Sequence, residues 1–212
     1  MVNILSSVAV ESYEFDIAAG HFAERHGLFV IIVLGEALIA IGVGVVGRAG
    51  SVAFFVAGTS MLLTALAMWW SYFDWLFQIG ERALKAATGI AKGRLARDAY
   101  TLSHYPIVAG VIMFAVGAEE VLAHPDAVLD GPTRWAFVGG LILFLAAESA
   151  MVVRLTGSLA WERFVLIGSL GIGGLVLGGL NAAALAAVVL VMMVVALGVE
   201  TARYREPLSQ LR

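Results

Sequence analysis

Apolar residues run along this chain in long blocks separated by short polar interruptions. A helix rising 1.5 Å per residue needs about 20 mostly apolar residues to cross the hydrocarbon core of a bilayer. Residues 22–47, 51–79, 98–122, 134–155, 161–180 and 182–200 meet that requirement. The first three blocks are long enough to tilt or to project from the core at one end. The last two are separated only by Gly178, Gly179, Leu180 and Asn181, the spacing of a helical hairpin. The largest polar insertion, residues 80–99, predicts a short surface helix. The pattern therefore predicts an all-α, polytopic integral membrane protein with six transmembrane helices in a single domain over residues 1–212.

Composition agrees. Of the 212 residues, 61% are hydrophobic and 14% charged, whereas soluble domains are roughly a quarter charged. A net charge of −3 gives no reason to expect nucleic acid as a partner. The chain has no cysteine, which excludes thiol catalysis, disulfides and thiolate metal sites. Residues 1–20 lack the basic start and continuous apolar core of a cleaved signal peptide, so insertion is expected to rely on the first membrane helix.

The basic residues set the expected orientation. Arg25, the group Arg82, Lys85, Lys92, Arg94 and Arg97, the pair Arg154 and Arg163, and the tail residues Arg203, Arg205 and Arg212 all fall on one side. Only Arg48 and Arg134 fall on the other. Both termini are therefore expected to face the cytoplasm, in a bacterial inner membrane.

Candidate chemistry gathers on the first apolar block, HFAERHGLFVIIVLGEALIAIG, residues 21–42. At 100° per residue His21, Arg25, Ile32 and Glu36 share one face of a helix, with Glu24 on its flank. Glu36 interrupts the apolar run about 18 Å above Glu24. A carboxylate at such depth costs about 2.5–3.5 kcal/mol on insertion scales, so it should face the bundle. The expected topology brings Asp74, His104 and Glu148 to the same cytoplasmic third as His21, Glu24 and Arg25. Tyr100 and His104 form an i,i+4 pair on one face. Arg25 calls for a carboxylate partner from Glu24, Asp74 or Glu148.

Glu36, His104 and Glu24 are thus the candidate proton-transfer groups. His21, Arg25, Asp74, Tyr100, Trp70 and Glu148 are the candidate binding groups. Trp69, Trp70, Tyr72 and Trp75 fit an interfacial aromatic belt and, alternatively, the walls of a pocket. His21 and His26 stand five apart and do not share a face, so no metal site is expected. No cofactor motif occurs either. Gly168, Gly171, Gly174 and Gly178 have small-residue spacing that permits close helix approach.

Three blocks also resemble a known family. They are HFAERHG with the following LFVIIVLGE, then WWSYFD (Trp69 to Asp74), then ARDAYTLSHYPIVAGVIMFAVGAEE. In order and spacing they are similar to the bacterial low-temperature-requirement A (LtrA) family, with a looser likeness over 134–200. The resemblance is to the C-terminal half of that family, whose members carry further membrane helices before it. It implies a membrane protein named for a growth phenotype. Convergent ionisable groups from several helices point to a proton-coupled transporter or channel-like protein with an unknown small-molecule or ion substrate. The alternative is a membrane-embedded enzyme using His and carboxylate acid–base chemistry on a lipophilic metabolite. Besides membrane lipids, the expected partner is a second copy in a homodimer, or a separate partner resembling the N-terminal half.

Overall fold

The computed structural model describes residues 18–45 and 50–209. Arg48, Arg212 and most of the N-terminal stretch lie outside the described residues, as do the side chains of Trp75 and Arg205. The described residues form eight α-helices with no strand. They are α1 (Ala19–Val45), α2 (Val52–Ser71), α3 (Phe77–Ala86), α4 (Gly89–Leu95), α5 (Leu102–Ala123), α6 (Gly131–Thr156), α7 (Trp161–Val176) and α8 (Ala182–Ser209). A π-helical turn, Tyr72–Leu76, fuses α2 to α3, and a second, Ala96–Thr101, fuses α4 to α5. The polar insertion is therefore helical on both sides of a break at Ala87 and Thr88.

Among the described residues, five helices are long and apolar enough to cross a membrane: Ala19–Gly44, Val52–Ala86, Gly89–Ala123, Gly131–Thr156 and Ala182–Arg203. The block 161–180 is the exception to the sequence expectation. Its helix, α7, has 16 residues, about 24 Å of rise against a hydrocarbon core of about 30 Å. Gly178 and Gly179 fall in the turn after it and cannot extend it.

Local chemistry sets the helix starts. Ser51 and Asp130 accept the backbone N–H of Phe54 and Thr133 at 3.1 and 2.9 Å, and the Asn181 side chain accepts that of Ala184 at 2.9 Å. Contacts at the two ends of the bundle fix how the helices alternate. At one end, Ser51 bonds Asp126, the Ala182 N–H donates to the Ala127 carbonyl at 2.7 Å, and Arg134 donates to the Gly178 carbonyl at 3.3 Å. At the other, basic end, Arg154 pairs with Asp98, and Arg203 with Glu162 at 2.7 Å.

The tightest packing joins α5 to α6. A Cβ added at Gly117 would lie 2.5 Å from the Phe137 backbone, one at Gly140 2.5 Å from Phe114 N, and one at Gly110 2.6 Å from Phe144 N. These three glycines let the two backbones touch. The series in α7 does not behave as its spacing suggests. Nothing lies within 4 Å of a Cβ at Gly168, and only Ile142 lies near Gly171, whereas Gly174 meets Trp135 and Val138. Close approach is thus confined to Gly173 and Gly174, which face Met192 of α8 and Trp135 and Val138 of α6.

α1 is a helix with two opposed seams. Ala23, Gly27, Val30, Leu34, Ala37, Ile41 and Gly44 are all buried against the bundle. Their 4-3-4-3-4-3 spacing is that of a coiled-coil stripe. Gly27 is packed by Phe77 and Gly44 by Leu122.

Candidate functional site

Two buried polar networks meet on α2. The first centres on Arg163, the third residue of α7. Its Nη1 donates to Glu148 Oε2 on α6 at 2.7 Å, and its Nε donates to Glu200 on α8 at 2.9 Å. The side chains of Arg163, Glu148 and Glu200 are 1, 0 and 5% exposed. Glu148 Oε2 also accepts from the Ser71 hydroxyl at 2.5 Å. Its other oxygen, Oε1, is buried and has no hydrogen-bond partner among the described residues. Two carboxylates thus flank a single guanidinium, the three groups coming from three helices and buried at the basic end of the bundle. Such a group is held in place by reciprocal need, since removing either sign leaves the other buried and uncompensated.

The second network starts at the next residue. The Tyr72 hydroxyl lies 2.7 Å from His104 Nε2, and His104 Nδ1 lies 2.7 Å from the Tyr100 carbonyl. A carbonyl can only accept, so Nδ1 carries a proton; Nε2 of a neutral imidazole then accepts from Tyr72. His26 repeats the arrangement with Nδ1 donating to the Phe22 carbonyl at 2.9 Å. The His26 and His104 rings stand 4.7 Å apart at 64°, and Tyr100 stacks on His104 at 6°. The Tyr100 hydroxyl is buried without a hydrogen-bond partner among the described residues. It presses on Gly80, where any Cβ would collide with it.

Both π-helical turns border this site. Ser71 and Tyr72 stand at the entry to the first, and Tyr100 lies within the second. A π-turn inserts one residue and rotates the helix beyond it, and such turns are frequent at functional sites. Here consecutive side chains are aimed at different helices, Ser71 at α6 and Tyr72 at α5. The second turn is supported by Ser103, whose hydroxyl donates to the Asp98 carbonyl at 3.2 Å.

The expected site residues divide. Glu148, His104 and Tyr100 are buried together as above. Asp74 is half-buried, and its backbone carbonyl accepts from Gln78. Trp70 is half-exposed beside an open, apolar groove of about 510 Å³ between α2 and α8. His21, Glu24, Arg25 and Glu36 are exposed. Glu36 does not face the bundle, because the inner seam of α1 runs through Leu34 and Ala37. Arg25 makes no ion pair with Glu24, Asp74 or Glu148 among the described residues. The buried clamp is Arg163 instead.

Sequence reasoning alone misses Arg163, Glu200, Ser71 and His26 as site residues. Arg163 and Glu200 stand as charges just inside the ends of two apolar blocks, but Arg163 is equally well explained as a topology signal. His26 lies off the Glu36 face, and for that reason it faces inward.

A helical bundle of this length and apolarity with charges buried across three helices defines a polytopic membrane protein. Residues 2–198 match the model of the bacterial low temperature requirement A protein (LtrA), and the chain belongs to that family. It is also similar to an uncharacterized protein of Rhizobium meliloti, 38% identical over 137 residues, which cover 64% of this chain. The match spans only 33% of that relative's length. No solved structure matches the chain.

Proposed function

We propose that this chain is a proton-coupled transporter or channel-like protein of the bacterial inner membrane. In this reading both termini face the cytoplasm and α7 completes a sixth, short crossing. Protons enter through the network around Ser71 and Tyr72. The observation that carries the reading is the adjacency of those two residues, one bonded to Glu148 and the other to His104. A neutral imidazole with a hydroxyl on Nε2 can take up a proton there and return it through the same nitrogen, while Nδ1 keeps its proton on the Tyr100 carbonyl. Glu148 shares Arg163 with Glu200, so taking up a proton leaves the guanidinium with one carboxylate, an arrangement that remains balanced. Intramembrane ionisable groups that pair with one another in this way mark proton and ion paths. The basic end, where Arg154, Arg163 and the 80–97 segment gather, supports the cytoplasmic assignment.

The test is proton flux into proteoliposomes carrying an internal pH-sensitive dye, driven by an imposed membrane potential. Wild-type protein should acidify the lumen faster than protein-free vesicles, and Glu148→Gln and His104→Phe should both slow it. Equal rates for wild type and both variants would remove the proposal.

A further inference from the structure

The outer side of α1 carries a second coiled-coil seam that nothing in the described structure covers. His21, Arg25, Leu28, Ile32, Gly35, Ile39 and Gly42 repeat the 4-3-4-3-4-3 spacing of the buried seam, offset by two residues and so on the opposite side of the helix. Leu28, Ile32 and Ile39 are 57, 65 and 60% exposed. Nothing lies within 4 Å of a Cβ built at Gly35 or Gly42. Exposure extends to Phe29, Ile31, Leu38 and Val43 as well, so the spacing alone does not set this line apart. Gly35 and Gly42, open and seven residues apart, do, because small residues let a second helix approach closely. Glu36 supplies the independent observation. It flanks the seam in mid-span, exposed and without a hydrogen bond or ion pair among the described residues, where contact with lipid is costly.

We propose that this seam is a dimerisation surface, on which α1 of a second copy packs in parallel about a two-fold axis along the membrane normal. The polar groups favour a second copy because they are self-complementary. Glu24 and Arg25 are neighbours at the same end of the seam, so a two-fold axis brings each Arg25 to Glu24 of the other copy in two reciprocal ion pairs. The branched residues Ile32 and Ile39 form layers of their own kind, as β-branched residues do in two-stranded coils. At Gly35 the missing side chain brings the neighbouring backbone within reach of Glu36, whose carboxyl is then covered by protein. His21, Arg25 and Glu36, the face singled out on the sequence, thus find their partner between subunits.

The chain contains no cysteine, so single cysteines report directly. Ile32→Cys and Ile39→Cys on the seam are compared with Phe29→Cys and Leu38→Cys, exposed positions to either side of it. Each full-length variant is oxidised with copper phenanthroline in native membranes at low expression. The seam variants should give several-fold more product at twice 22.4 kDa than the flanking ones. Gly35→Leu should abolish the Ile32→Cys product while leaving the amount of membrane-inserted protein unchanged. Equal yields at all four positions would mean random collision and overturn the proposal. So would no dimer at any position, or a product whose mass reveals a different protein on the seam.

Discussion

Ser71 and Tyr72 are consecutive residues whose hydroxyls serve two different buried networks, Glu148 at 2.5 Å and His104 at 2.7 Å. The residue pair sits where α2 gives way to a π-helical turn. The Arg163 cluster of α6, α7 and α8 and the imidazole of α5 are thus held by consecutive residues.

The Arg163 clamp should dominate stability at the basic end. Arg163→Gln leaves Glu148 and Glu200 buried without their cation, a loss of about 3–5 kcal/mol. The purified variant should melt at a clearly lower temperature in mild detergent. Adding Glu200→Gln to it should restore part of the loss, because one stranded charge is then gone. An Arg163→Gln protein that melts like wild type would mean the guanidinium is not the keystone of this cluster.

Close approach of α5 and α6 makes a second, sharper contrast. Gly140→Ala places a methyl 2.5 Å from Phe114 N, and forcing backbones apart costs about 1–3 kcal/mol. Gly168→Ala, with nothing within 4 Å, should be neutral or slightly stabilising, since it removes a helical glycine. Thermal unfolding of the two variants side by side checks the assignment, and equal effects would contradict it.

The tautomer of His104 is accessible to measurement. Nitrogen-15 spectra of histidine-labelled protein in lipid should show His104 neutral with the proton on Nδ1. Tyr72→Phe should shift the Nε2 resonance and leave Nδ1 nearly unchanged, because the Tyr100 carbonyl still accepts from it. A proton on Nε2 in the wild type would reverse the direction of the Tyr72 bond.

How far the sequence foretells this arrangement depends on the residue. The long spans are legible because a block of 20 apolar residues has few alternatives. Glu148, His104 and Tyr100 are legible because buried polar groups inside such blocks are rare. The inward direction of α1 is not. A helix apolar on two opposed seams gives the same period on both, so a helical wheel cannot say which seam meets the bundle. Cost alone argues for an inward Glu36, and the dimer proposed above would meet the same cost from outside. Arg163 is hidden by its position, since a cation near a helix end serves topology and burial equally well. Only the fold shows that α6 and α8 bring carboxylates to it.

Topology can be checked independently of any transport assay. Cysteines introduced at Lys92 and Ser158 should react with an impermeant reagent from the same face, and one at Val128 from the opposite face. Labelling of Lys92→Cys from the periplasm would invert the orientation proposed for the relay.

In the proposed relay the Glu148 and His104 networks act as one path through Ser71 and Tyr72. Proton flux in proteoliposomes is therefore to be measured for Ser71→Ala, Tyr72→Phe and the double variant. Two groups in series give coupled effects, whereas independent sites add in free energy. Each single change should slow flux, and the double variant should be no slower than the slower single. A double variant slowed by the product of the two single effects would show two separate networks and rule out a single path.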